Sequence, residues 1–394
     1  MNMAPYRQVF ALPGLRLLMV IGMLARVPAT AAALTITLHV VNTLGLQFTE
    51  AGIAGAAAMA GAGLGAPLAG RMVDKVGLRP VLLVTTLAQG LYWTTAPSLS
   101  YVVLVVCAFL AGMLGIPIFS VMRQFMAAMV PLEHHRPAFA LDSMAVELSY
   151  MVGPALAVAL VTSVGSTFTI YTVGAGFVLA GAALIIMNPP IRSVEEERAE
   201  TIAVPRRQWL RPSLISLFVA SAAATLVLTA TELSIVAVLK ADNATAWTGL
   251  VIGLWCAYSL VGGFVYGALH RSLSPLVLIG GLAALTIPLG LVGGGWWWLC
   301  VAIIPSGALV APALAASVDT VSQWVPASAR GEAMGLHGTA LTCGVAAGAP
   351  FGGAVIDSFG PQWGFAAAGL AGLLIVALAM PFWQRAPQPA AEMA

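Results

Sequence analysis

Residues Gly70-Arg71-Met72-Val73-Asp74-Lys75-Val76-Gly77-Leu78-Arg79 put four ionisable side chains into ten positions, in a chain where charged residues make up 8% of the total. Apolar runs lie on both sides of this stretch, 50–70 before it and 79–96 after it. It reads as a tight polar turnaround between two spans buried in lipid. The composition agrees: 60% of the 394 residues are apolar and the mean hydropathy is +0.95. A soluble protein carries roughly 25% charged residues, so this chain lacks the polar atoms to cover its own surface in water. At about 20 residues per span, a dozen spans and their loops use nearly the whole length and leave no room for a soluble domain. The net charge of +2 is close to neutral and the basic residues are scattered, which excludes a nucleic-acid face.

Apolar runs bounded by Gly, Pro and charge give spans at 14–41, 50–70, 79–96, 99–122, 138–163 and 166–187. A second set follows at 212–239, 247–269, 275–293, 296–318, 331–356 and 362–384. Ala29-Thr30-Ala31 resembles a signal-peptidase site, but the first apolar run is too long for a signal peptide and reads as a retained span. Between the two sets, 188–210 holds Glu195, Glu196, Glu197, Arg198, Glu200, Arg206 and Arg207, a solvated linker. Fifteen of the 17 Lys and Arg residues, Arg123 and Arg136 among them, fall on one side of this topology; Lys240 is on the other and Arg26 lies within a span. That bias predicts cytoplasmic termini and a cytoplasmic linker. Lysine occurs only at Lys75 and Lys240, and the arginine, alanine and glycine content suggests a GC-rich bacterial genome, hence the plasma membrane of a bacterium. Cys107, Cys256, Cys300 and Cys343 fall in different apolar segments, with no metal-ligand spacing, and read as small buried hydrophobes.

Shifting the sequence against itself by 195 positions brings Pro80 onto Pro275, Gly112 onto Gly307 and Pro117 onto Pro312. Val130-Pro131 then meets Val325-Pro326, Leu141 meets Leu336, and Gly153, Ser163 and Gly165 meet Gly348, Ser358 and Gly360. One match is noise in such a composition; a shared offset over several spans is a repeat. The expected fold is all-α, twelve transmembrane helices in two pseudo-symmetric six-helix halves. The boundaries are 1–187 for the first half, 188–210 for the linker and 211–394 for the second half. Parallel halves of this kind are a transporter architecture with the binding site at the repeat interface.

Against that frame of twelve spans, Gly70, Asp74, Lys75, Gly77 and Arg79 resemble the loop motif after the second helix of the major facilitator superfamily, G-x-x-x-D-[RK]-x-G-x-[RK]. The resemblance covers nearly the whole chain. Gly263, Gly267 and Arg271 resemble a weaker second copy. Gly153-Pro154 is similar to the core of the antiporter motif on helix 5 of proton-driven exporters, with Ser149, Ala157 and Val158 where glycine is usual. Ala108 occupies the place, four residues before Gly112, where the family often has arginine. The family implies that Asp74 faces the start of helix 11 near Gly331 and Glu332, and that helices 2 and 11 meet. Gly61, Gly65 and Gly70 on one and Gly344, Gly348 and Gly352 on the other offer a smooth sliding contact.

Ionisable groups inside hydrocarbon need a partner or an aqueous cavity. Arg26 lies about 12 residues into helix 1, with Thr30 and Thr37 on its face; the repeat equivalents on helix 7 are Ser221, Thr225 and Glu232, joined by Thr229. The paired stripes read as facing a central aqueous path, although threonine hydroxyls also bond back to their own helix. Glu147, on the helix-5 face of Gly153-Pro154, lies at a depth similar to that of Arg26, and the two can pair either as a structural lock or as a transport pair. Glu232 has no obvious basic partner and is the preferred proton carrier. Trp255 and Tyr258 are either pocket-lining or core, His39 reads as interfacial, and Asp142 and His337 are placed near an inner gate. No phosphate-binding G-x-x-x-x-G-K-[ST] loop, nucleophile–base pair or metal cluster is visible. The reading is therefore a non-enzymatic secondary transporter of a small molecule, acting as a monomer in the bilayer without cofactor. A proton gradient drives it, outward by exchange; an importer, a facilitator or a non-transporting receptor of the same fold are the alternatives.

Overall fold

A computed structural model describes residues 4–12, 14–46, 48–192, 204–244, 247–269, 273–291 and 295–383. Twelve long helical segments follow one another: α1 Leu15–Asn42, α2 Phe48–Val76, α3 Leu78–Thr95, α4 Tyr101–Met129, α5 His135–Val164, α6 Ser166–Met187, α7 Pro212–Ala241, α8 Thr248–Ala268, α9 Pro275–Leu291, α10 Ile304–Trp324, α11 Arg330–Phe359 and α12 Pro361–Trp383. Ten of them are long and apolar enough to cross a membrane; the exceptions are α3, which carries Arg79 and Gln89, and the shorter α9. A short helix, Ala4–Ala11, precedes α1, another, Arg206–Trp209, precedes α7, and a third, Trp297–Ala302, precedes α10. The charged linker residues from Glu195 to Glu200, and Arg271 of the weaker motif copy, lie outside the described residues.

The turnaround quoted above is tighter than its sequence suggests. α2 runs on to Val76, so Asp74 and Lys75 are helical, and Gly77 alone separates α2 from α3. Its φ of 88° is a value that side chains with a Cβ rarely adopt, which is why glycine stands there. α4 is interrupted between Met113 and Ile118. The buried Gln89 amide meets the end of the first part, donating to the Ala111 carbonyl at 2.7 Å and approaching that of Leu114 at 3.4 Å, while its oxygen accepts from Trp93 Nε1 at 3.0 Å.

By internal contacts the chain divides into two compact units. The first comprises Met1–Ile202, Phe264–Leu269 and Ala327–Thr339; the second comprises Ala203–Gly263, His270–Pro326 and Ala340–Ala394. In the first, α1 packs on α5 and α6, α2 on α4, and α3 on α6. In the second, α7 and α9 pack on α12, and α9 on α10.

The repeat is visible in the backbone of the two halves of the sequence. Val130 and Val325 are both extended residues ending a helix, each followed by proline, a single 3-10 turn and a helix of 30 residues. Gly165 and Gly360, at φ of 89° and 98°, make the next turn in each case. Gly112 sits against the Ala58 carbonyl where α4 meets α2, and Gly307 against Trp255 and Tyr258 where α10 meets α8.

The glycine ridges serve a different purpose from the one expected. Gly61 and Gly65 seat α2 on the backbone of α4 at Phe109 and Met113, and Gly344, Gly348 and Gly352 seat α11 on α7 at Ala222, Leu226 and Ala230. The contact of α2 with the first turns of α11, inside the first unit, keeps Gly70 of that ridge and otherwise uses other residues. Gly70 meets Gly331, Gly335 meets Ala66 and Pro67, and Thr339 donates to the Gly63 carbonyl at 2.7 Å.

Candidate functional site

α1 carries Arg26 deep inside the first unit, 1% exposed, and α5 brings Asp142 to it: Arg26 Nη2 donates to Asp142 Oδ1 at 2.5 Å. The expected pairing of Arg26 with Glu147 is therefore corrected. Equal depth along two helices fixes neither their relative rotation nor their shift. Glu147 is half-buried and has interactions of its own. Arg123, on the second part of α4, approaches the other oxygen of Asp142 with Nε at 3.8 Å and contacts His337 Nδ1 with Nη1 at 3.3 Å. All four side chains are buried. The Phe119 ring lies 5.3 Å from the Arg26 guanidinium, within cation–π range.

Sequence reasoning assigned Arg123 to a loop because the fourth span was ended at residue 122. The signal that would have found it is the apolar run Phe125-Met126-Ala127-Ala128-Met129-Val130, which continues the helix to Met129 and takes Arg123 inside. Asp142 and His337 were placed near a gate; the structure joins them through Arg123. They are also repeat equivalents, one offset of 195 apart.

In the first unit the hydroxyls of the threonine stripe are taken up by backbone carbonyls. Thr30 donates to the Ser149 carbonyl at 2.7 Å and lies within reach of the Val27 carbonyl of its own helix, with Gly153 pressed against its hydroxyl. The Gly153-Pro154 element thus serves the α1–α5 contact. Thr37 bonds back to Ala33 at 2.9 Å. On α7, Thr225 donates to the Leu341 carbonyl of α11 at 2.9 Å and Thr229 meets Gly348. One turn further along that face stands Glu232, exposed, with no hydrogen bond or ion pair among the described residues. Trp255 is core, packed where α8 meets α10, and the Tyr258 hydroxyl bonds the Cys300 carbonyl at 2.9 Å. His39 is fully buried beside Ser166 rather than interfacial.

Asp74 is placed as the motif implies. Its two carboxylate oxygens accept from the backbone N–H groups of Gly331 at 3.0 Å and Glu332 at 2.9 Å, the first turn of α11. Those donors have no partner within their own helix, and the helix dipole favours a negative charge there. Arg192 donates to the Asp74 carbonyl at 3.0 Å, Lys75 is exposed, and Arg79 approaches the Ile185 carbonyl at 3.4 Å. On the same unit Tyr6 stacks on Phe264 at 4.8 Å and donates to its carbonyl at 2.5 Å. Burial pushes the Tyr6 phenol up to about 12, so it stays a donor at neutral pH.

The model of the family described as Major Facilitator Superfamily matches residues 18–293 and 272–392. The chain belongs to the major facilitator superfamily. It is a multi-pass membrane protein of a transporter family. No curated protein sequence matches it. Among solved structures it is similar to a bacterial homologue of the iron transporter ferroportin in an outward-facing state, with a TM-score of 0.75 and 16% identity over 93% of this chain and 98% of that one. It is also similar to the human organic anion transporter TETRAN, with a TM-score of 0.69 and 16% identity over 92% and 98% of the two chains. A third is the proton:xylose symporter XylE, with a TM-score of 0.69 and 13% identity over 93% and 94%. At such identities the likeness concerns the superfamily fold. Within that fold, Gly70 and Asp74 are the motif residues whose geometry is explained directly by their contacts, and Gly77 by its φ of 88°.

Proposed function

We propose that this chain is a secondary transporter of the bacterial plasma membrane, with cytoplasmic termini, that moves a small molecule outward in exchange for protons by alternating access. It works as a monomer, and the proton gradient takes the place of any cofactor. The two repeat-related halves, 1–187 and 211–394, are the moving parts and 188–210 is their tether. The observation that carries coupling is Glu232: an exposed carboxylate without a hydrogen bond or ion pair among the described residues, on a helix otherwise suited to lipid. Facing hydrocarbon it would cost about 2.5–3.5 kcal/mol on insertion scales, so it belongs at an aqueous path where it can gain and lose a proton. Gly153-Pro154 favours exchange over co-transport through its likeness to the antiporter motif. The Asp74 cap on the first turn of α11 is the cytoplasmic latch, made of hydrogen bonds alone and so reversible.

Everted membrane vesicles, energised to hold a pH gradient and containing an acid-trapped dye, test this. Compounds from a panel of drugs, sugars and carboxylates that are carried release the dye quench in vesicles with the wild-type chain. Glu232→Gln keeps the shape and hydrogen-bonding reach of the side chain but cannot ionise, so it abolishes that release while substrate-for-substrate exchange continues. Concentrative transport by Glu232→Gln would remove Glu232 from the coupling step.

A further inference from the structure

Two guanidiniums share one carboxylate in the first unit, and the sharing is incomplete. A guanidinium presents five N–H donors, and its side-on edge, Nε with Nη2, matches the two oxygens of a carboxylate. Arg26 uses Nη2 on Asp142 Oδ1, while Nε on the same edge has no hydrogen-bond partner among the described residues although it is buried. Arg123 Nε also lacks a hydrogen-bond partner, since Asp142 Oδ2 at 3.8 Å is beyond reach, and Nη1 is occupied by His337. Asp142 is stretched across two forks and fills neither. Buried N–H groups are nearly always paired, and unfilled ones on an arginine mark a place where acceptor oxygens fit.

We propose that Arg26 and Arg123 form the seat for the anionic group of the transported molecule, a carboxylate of an organic acid, and that Asp142 holds the seat until the substrate displaces it. This rests on the reading of the chain as a transporter and names the class of its cargo. An incoming carboxylate supplies two acceptors to the idle Nε–H groups and a second negative charge to a pair of cations that now share one. Asp142, released from Arg26, is the internal competitor. The Phe119 ring beside Arg26 gives the organic part of an aromatic acid an apolar surface to lie against. His337, from the first turns of α11, holds Arg123 in place through Nδ1, which makes it a positioning residue whose helix also carries the Asp74 latch.

The test uses the full-length protein in phosphatidylcholine nanodiscs, with thermal stability read against sodium benzoate, inorganic phosphate and neutral benzamide. Benzoate raises the Tm in a dose-dependent manner and benzamide, of the same shape without charge, does not. Arg123→Gln and Arg26→Gln weaken the benzoate response by roughly tenfold or more, as loss of a charge-assisted fork does. Asp142→Asn tightens it, because the competitor is gone; a purely structural ion pair has no reason to give opposite signs for the two partners. If the arginine variants do not fold, the sign for Asp142→Asn decides alone. Equal benzoate responses in wild type and Asp142→Asn overturn the proposal. So does a response to benzamide as large as that to benzoate, or a response to phosphate alone, which would describe a bare inorganic-anion site. Repeating the titration with phosphatidylglycerol in the nanodisc separates the other source of oxyanion: an Arg123-dependent stabilisation by that lipid that abolishes the benzoate effect assigns the seat to a lipid headgroup and overturns it as well. If the vesicle panel shows carriage of neutral or cationic compounds while benzoate is inert here, the anion seat falls and the transporter stands. If the vesicles carry nothing, the transporter reading falls whatever benzoate does.

Discussion

The contact of α1 with α5 and its repeat counterpart, α7 with α11, are built alike in backbone and unlike in charge. Both rest on glycines pressed against a threonine-bearing helix, Gly153 on Thr30 in one and Gly344 on Thr225 in the other, and in both the threonine hydroxyl crosses to a carbonyl of the facing helix. The position of Arg26 is occupied in the second copy by Ser221, which bonds back to Leu217 at 2.8 Å, and that of Asp142 by His337, which serves Arg123. The position of Thr37, bonded to its own helix, is occupied by Glu232, which has no hydrogen bond or ion pair among the described residues. Packing requirements preserve the shared features, since a bundle of this shape needs close helix approaches in both copies. The charges are where the copies part.

The largest expected effect breaks the charged half of the comparison. Asp142→Ala leaves the Arg26 guanidinium buried without its acid and should cost about 3–5 kcal/mol, read as a large loss of thermal stability in detergent. Adding Arg26→Met to the same chain should recover much of it; a double variant no better than the single would show that the pair is not coupled. Next, the packing half predicts equal outcomes in the two copies. Gly153→Val and Gly348→Val each drive a side chain into the facing helix, and each should cost about 1–3 kcal/mol, as overpacking does. A loss in one copy alone would mean that the repeat is not mechanically symmetric at this contact. The smallest effect sharpens the picture of the latch. Asp74→Asn keeps a hydrogen-bonding side chain but loses the charge at the end of α11, worth about 0.3–1 kcal/mol. Hydrogen exchange at the amides of Gly331 and Glu332 should speed up by a corresponding factor of roughly 2–5, with the rest of α11 unchanged.

Much of the fold could be read from the amino-acid pattern. Each of the twelve apolar runs corresponds to a helical segment, and the 195-residue offset reappears as matched turns at Val130 and Val325 and at Gly165 and Gly360. Hydrophobicity and turn chemistry are local, so they survive in sequence. Asp74 was legible for a related reason: its partners are backbone N–H groups, which every helix start offers. The buried network was harder. Arg26 and Glu147 were matched by depth, but the pairing depends on how α1 and α5 are rotated about their axes and shifted along them, and the structure brings Asp142 to Arg26 instead. Arg123 was missed because a charged residue near the end of an apolar run looks like a boundary. The lesson from α4 is that the run beyond the charge decides: seven residues from Gln124 to Val130 hold one polar side chain, and the helix passes through.

The Tyr6 contact also sets a schedule for the chain's own birth. Tyr6 is made 258 positions before Phe264, whose ring and carbonyl it holds. At about 5–20 residues per second, the short leading helix waits roughly 13–50 s before its partner exists. During that interval its apolar side, with Tyr6 and Val9 that end up fully covered, has the membrane surface as its nearest shelter. Closing this contact is therefore a late event in biogenesis, one that can be completed only after eight helices have been inserted.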